Sequence, residues 1–140
     1  MIKKIVLHCT DSEDSLDFGF KDIDEWHRQR GWLSDSGISC GYHYIIRRDG
    51  RIENGRPELE RGAHVKGHNS DSIGVVWVGR KNIDPRQFTQ LKRLLRTLIN
   101  RYRLTPLDIW GHTELDPHKT CPNLDMDWIR AQVLFEKDEL

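Results

Sequence analysis

Hydrophobic and polar positions alternate in blocks that read as strands and helices in turn. Residues 2–8, Ile2-Lys3-Lys4-Ile5-Val6-Leu7-His8, are β-branched and apolar enough for a central strand, and the stretch from Thr10 to Asp14 is polar. Ile23, Trp26, His27 and Arg30 then recur at one-face helical spacing, with Gly31 stopping that helix. Residues 42–48 read as a strand, Asp49-Gly50 as a hairpin turn and residues 51–53 as the return strand. Residues 72–78, Ser-Ile-Gly-Val-Val-Trp-Val, predict another buried strand, in which Gly74 marks a close backbone approach.

The clearest helix runs from Pro85 to about Arg103. Asp84 stands at its N-cap, Pro85 at its first position and Gln87 where a capping box needs it. Phe88, Leu91, Leu94, Leu95, Leu98, Ile99 and Tyr102 make one broad apolar face. The same helix carries six basic residues and no acid from Arg86 onward, which reads as a solvated outer face or as a surface for an anionic partner. A strand at 107–110, a loop through Pro122 and a short helix starting near Asp125 complete the pattern. Strands alternating with helices predict an α/β fold: one domain over residues 1–140, with a mostly buried mixed sheet flanked by helices.

Composition narrows the function classes. The 140 residues hold 36% hydrophobic and 31% charged side chains, a balance expected of a soluble globular chain. Lys+Arg and Asp+Glu are 22 each, so the chain lacks the basic excess of a general nucleic-acid binder. No apolar run is long enough to span a bilayer, and the apolar stretch at the N-terminus is too short for a secretory signal. The last four residues, Lys137-Asp138-Glu139-Leu140, spell a retention signal of the endoplasmic reticulum, read here as accidental because nothing directs the chain into that route.

Three cysteines cannot all pair with one another, and without a leader a metal or free-thiol role outranks a disulfide framework. His8 ends the first strand, so Cys9 points to the opposite face and reads as a small buried residue. His112 follows a predicted strand, and Cys121 sits at the stiff Cys-Pro step that closes the loop. His8, His112 and Cys121 could supply three ligands to one zinc and leave a fourth position for water, as catalytic sites do. On spacing alone His118, three positions before Cys121, competes with His112.

Four segments occur in the order of a known family: Val6-Leu7-His8-Cys9-Thr10; Gly41-Tyr42-His43-Tyr44 running on to Asp49-Gly50; Gly62-Ala63-His64 running on to Asn69 and Gly74-Val75; and His112 followed by Lys119-Thr120-Cys121-Pro122. Over about residues 2 to 130 the chain resembles the zinc-dependent N-acetylmuramoyl-L-alanine amidases, the family shared with peptidoglycan recognition proteins, and among them the amidase-type phage lysozymes. The resemblance implies one zinc ion on His8, His112 and Cys121, with Tyr42 and Lys119 as catalytic residues. It also implies His64, Asn69 and Thr120 as substrate contacts in a peptidoglycan groove. His118 then becomes a loop residue, His27 and His43 structural ones, and His68 takes no role. Asn123 stands where many members have glycine.

The implied reaction is hydrolysis of the amide between N-acetylmuramic acid and L-alanine of the stem peptide. The implied setting is a phage endolysin, made in the cytoplasm and acting on the bacterial wall after release, as a monomer without nucleic acid or membrane partners. The alternatives are a non-catalytic peptidoglycan binder, against which Cys121 counts because such members typically lack the cysteine, and an amidase that also binds a phage RNA polymerase.

Overall fold

The computed structural model describes residues 1–134, so the Lys137–Leu140 signal lies outside the described residues. Five strands form one mixed sheet: β1 (Lys4–Cys9), β2 (Tyr44–Ile46), β3 (Ile52–Asn54), β4 (Ser72–Trp77) and β5 (Ile109–Gly111), in the order β3-β2-β4-β1-β5. β1 runs parallel to β4 and β5, and β2 parallel to β4; the β2–β3 hairpin is antiparallel. Its turn forms at Asp49-Gly50, with Gly50 at φ +93°. The expected mixed, buried sheet is therefore present, and β1 and β4 at its centre are the most buried strands.

Side-chain alternation splits the sheet into two faces. On one, Ile5, Leu7, Ile73, Val75, Trp77 and Ile109 pack under α2 (Pro85–Tyr102) and α4 (Met126–Leu134). On the other, Ile45, Val76 and Val78 meet Ile23 of α1 (Phe20–Gln29). α2 begins as expected: the Asp84 side chain accepts from Arg86 N–H, and Gln87 Oε1 accepts from Asp84 N–H. Gln87 is also fully buried, its amide donating to the carbonyls of Ile46 and Val78, so the capping residue ties the helix start to two strands. Much of the helix's basic charge is engaged within the chain: Arg86 pairs with Asp84, Arg101 with Glu58, and Lys92 lies over the Phe88 ring.

Several expectations shift. β1 starts at Lys4 rather than Ile2 and includes Cys9. The predicted strand at 107–110 begins later, because residues Pro106–Asp108 wind into a 3₁₀ turn capped by the Thr105 hydroxyl and leave Leu107 exposed. Of the face expected on α1, Ile23 and His27 are buried, together with Asp24, while Trp26 and the C-cap residue Arg30 are exposed. The loop expected through Pro122 contains one helical turn, α3 (His112–Leu115). No helix among the described residues is long and apolar enough to cross a membrane.

Candidate metal centre

The parallel register of β1 and β5 brings the two histidines together. Leu7 pairs with Gly111, the last paired residues of that ladder, so His8 and His112 follow side by side just beyond the β1–β5 pairing. Ligand sites of parallel α/β sheets lie at these carboxyl ends. Cys121 reaches the same point because its carbonyl accepts from Thr113 N–H at 2.9 Å, and the next carbonyl, of Pro122, accepts from the Trp77 indole at 2.9 Å. The Cys121–Pro122 peptide is cis.

The three donor atoms converge. His8 Nδ1 lies 3.1 Å from His112 Nδ1, and Cys121 Sγ lies 3.8 Å and 3.3 Å from those two nitrogens. Tetrahedral zinc with ordinary Zn–N and Zn–S bonds places nitrogen pairs about 3.3 Å apart and nitrogen–sulfur pairs about 3.6 Å apart. The residues present fit that ion. His118 is exposed and stands outside the cluster; its N–H bonds to Asp116.

Electrostatics prepare the ligands. Burial lowers the His8 pKa and keeps its imidazole neutral, as a ligand requires. The Cys121 thiol is pushed down, first by the Cys9 thiol beside it and against the opposing effect of burial. Cys9 correspondingly moves up, its proton held by the bond to Cys121. Cys9 was expected to be a small buried residue. It packs with Leu7 on the apolar face, and at the end of β1 its sulfur meets the Asn123 amide at 3.6 Å. Alternation alone cannot show such a contact.

Asn123 adopts φ +57°, the left-handed region that glycine enters freely and asparagine tolerates better than most residues. Its amide donates to the Arg80 carbonyl at 2.8 Å and toward Cys9 Sγ at 3.6 Å. Asparagine here therefore holds the left-handed turn that follows Pro122.

A groove of about 940 Å³ opens at the cluster, and Tyr42, His64, Asn69, Lys119 and Thr120 all line it. The Tyr42 ring centroid is 5.1 Å from that of His8. Burial, with the Cys121 charge next, raises the Tyr42 pKa, so its phenol stays protonated and able to donate. The segment leading into Tyr42 is fixed by polar clamps: Asp24 accepts from Ser39 and Cys40 N–H, and Arg56 donates to the carbonyls of Ser39, Cys40 and Arg61. At Gly41 a Cβ would sit 2.0 Å from the Ala63 carbonyl oxygen, so only glycine fits there. Lys119 and Thr120 are exposed on the loop before Cys121.

Two residues expected to contact substrate also hold structure. Asn69 Oδ1 accepts from both His64 and Val65 N–H at 2.8 Å. His64 is buried, its Nδ1 2.9 Å from His8 Nε2 and its Nε2 3.2 Å from Ser72 Oγ. At Gly74 a Cβ would stand 2.6 Å from the His64 ring; the close approach expected there is made by a side chain. His43 has backbone partners at both ring nitrogens, Gly74 N–H and the Glu60 carbonyl. His27 Nδ1 accepts from Gly41 N–H, and burial with the nearby Arg30 charge lowers its pKa to about 4. Sequence reasoning missed Ser72 and the Arg130–Glu114 pair, in which Glu114 also accepts from Gly111 N–H beside His112. Their residue types carry no signal of their own.

Comparison with known proteins gives the same family from independent directions. The family profile described as N-acetylmuramoyl-L-alanine amidase matches residues 1–124. The endolysin of Escherichia phage T7 is 39% identical over 145 aligned positions, covering 97% of this chain and 87% of that protein. The endolysin of Klebsiella phage KP32 is 38% identical, covering 98% and 87%. Among solved structures, the N-acetylmuramoyl-L-alanine amidase LysC from Clostridium intestinale URNW superposes with a TM-score of 0.83 at 35% identity, covering 95% of this chain and 85% of that one. With a profile match over most of its length and a relative aligned along nearly all of it, this chain belongs to the N-acetylmuramoyl-L-alanine amidase family.

Proposed function

We propose that the chain hydrolyses the amide joining N-acetylmuramic acid to L-alanine of peptidoglycan stem peptides, using one zinc ion held by His8 Nδ1, His112 Nδ1 and Cys121 Sγ. The observation that carries this reading is the convergence of those three donors at tetrahedral spacing on the floor of a groove lined by Tyr42 and Lys119. Bound zinc supplies Lewis acidity, lowering the pKa of a coordinated water from about 15.7 to about 7 and polarising the scissile carbonyl.

The side chains then divide the remaining work. Cys121, the only anionic ligand, and two neutral imidazoles leave the centre a net positive charge. Tyr42 keeps its proton and donates a hydrogen bond to the oxygen that becomes negative as the carbonyl turns tetrahedral. Lys119 adds positive charge to the groove lining, and one of these two residues relays to the leaving L-alanine amine the proton that the attacking water gives up. Thr120 and the rim at Asn69 border the path of the stem peptide. The endolysin relatives support a role in breaking the host wall after release.

Mass spectrometry of purified peptidoglycan after digestion tests the reaction. The expected products are free stem peptides with an N-terminal L-alanine and intact glycan strands. New reducing sugar ends would overturn the assignment.

A further inference from the structure

We infer that His64 is a positioning residue for the metal centre: it fixes the ring orientation and tautomer of His8, so that Nδ1 is presented bare to the ion, and Ser72, Asn69 and Gly74 hold it in that task. The inference rests on the reading of His8 as a metal ligand.

The His68 carbonyl only accepts, and it lies 2.7 Å from Ser72 Oγ, so it takes the single hydroxyl proton. Ser72 Oγ is left with lone pairs for His64 Nε2 at 3.2 Å, and that nitrogen must carry the hydrogen. A neutral imidazole has one N–H. His64, 8% exposed and among other imidazoles, is neutral, so its Nδ1 is bare. The atom 2.9 Å from it, His8 Nε2, must then donate. The other nitrogen of His8 is thereby freed of its proton, and it is the one facing His112 Nδ1 and Cys121 Sγ.

The opposite tautomer of His8 would set two lone pairs against each other at 2.9 Å and aim a hydrogen at the metal position. Metal-bound histidines generally donate their second ring N–H to a fixed acceptor, often a carboxylate or carbonyl. Here that acceptor is an imidazole, itself oriented by a serine and a peptide group. The surroundings are shaped for it. Asn69 Oδ1 binds the backbone N–H of His64 and of Val65, and the missing side chain at Gly74 leaves room for the ring. His64 acts through His8 rather than on the reacting atoms.

The test measures tautomers and metal affinity, not turnover. In the metal-free native chain, ¹⁵N spectra of the imidazoles should show His8 with a protonated Nε2 and bare Nδ1, and His64 likewise. Zinc affinity, read by competition with a chromophoric chelator, should fall about 10- to 100-fold in His64→Phe, which fills the space without an acceptor. His64→Asn, which returns an acceptor near the Nδ1 position, should recover part of the loss, and Ser72→Ala should lose less than His64→Phe. A proton on His8 Nδ1 in the native chain, or native-like zinc affinity in a folded His64→Phe, would overturn the inference. Failure of the native chain to bind zinc would instead overturn the ligand assignment beneath it. The native spectra need no variant, so a His64→Phe chain that does not fold leaves the tautomer result to decide.

Discussion

The two faces of the central sheet are built by the same strands and do opposite things. Under α2 and α4, Ile5, Leu7, Ile73, Val75 and Ile109 meet Leu91, Leu95, Leu98 and Ile129 in an apolar layer. Those contacts have no direction, and their strength scales with area removed from water. One residue further along β1, His8 turns to the other side, where His64 and His43 occupy space next to Gly74. Beside the smaller apolar cluster of Ile23, Ile45, Val76 and Val78 on that face, these rings are held by paired donors and acceptors, and a buried nitrogen left without its partner would cost about 1–3 kcal/mol. The apolar face can be changed in volume and still fold, whereas the imidazole face works only if each proton is in place. The larger apolar layer lies on one side and the chemistry on the other, so substitutions should separate the two.

The largest effect should come from Cys121→Ser. A neutral hydroxyl replaces the thiolate and the soft sulfur donor. Zinc content of the purified variant should drop far below one equivalent, and wall lysis should fall about 10³-fold or more. Its unfolding midpoint, compared with the chelator-treated native protein, should hardly move. Lysis at the native rate by zinc-free variant would refute the metal mechanism.

Next in size, Tyr42→Phe and Lys119→Ala should each keep zinc and fold while slowing turnover about 10²–10³-fold, the loss typical of one oxyanion donor. Native rates in both would make the two residues structural. Leu95→Ala lies wholly on the apolar face, where the side chain is fully buried. It should lower unfolding free energy by about 2–5 kcal/mol, measured by urea titration, with zinc stoichiometry unchanged. Loss of zinc in the folded variant would mean that the faces are coupled.

The smallest effect concerns Glu58, which lies away from the groove and joins α2 to β2. It accepts from Tyr44, Tyr102 and Arg101. Burial pushes its pKa up, but the hydrogen bonds from Arg101, Tyr102 and Tyr44 outweigh that and hold it below the ordinary value. A folded-state pKa below the unfolded one stabilises at pH above the unfolded value, about 4.3, and the contribution is lost as pH falls through the folded value. Thermal midpoints of the native chain should therefore drop more steeply below about pH 4 than those of Glu58→Gln. Parallel curves would remove this clamp from the account of stability.

Much of this molecule is legible in the sequence. The capped helix from Pro85, the hairpin at Asp49-Gly50 and the strand through Gly74 all carry local signals: a proline at the first helical turn, a turn dipeptide, a β-branched run. Trp26 and Arg30 misled because helical spacing names a face without saying whether anything lies opposite it. Leu107 misled because the hydroxyl of Thr105 and the ring of Pro106 favour a tight turn over an extended start. The metal ligands were narrowed by residue type and order, yet spacing left His118 and His112 as equals.

By itself, then, the sequence determined the alternation of elements, the apolar face of α2, and a set of histidines and cysteines able to hold an ion, since all of these follow from near-neighbour spacing and side-chain chemistry. Tertiary structure alone decided which of them meet. The Leu7–Gly111 register sets His8 beside His112, the Thr113–Cys121 bond turns the sulfur toward them, and His64 and Ser72 become their supports. These partners lie from 56 to 113 residues apart across the His8 contacts, a separation over which local propensity carries no information and only strand pairing and packing fix position.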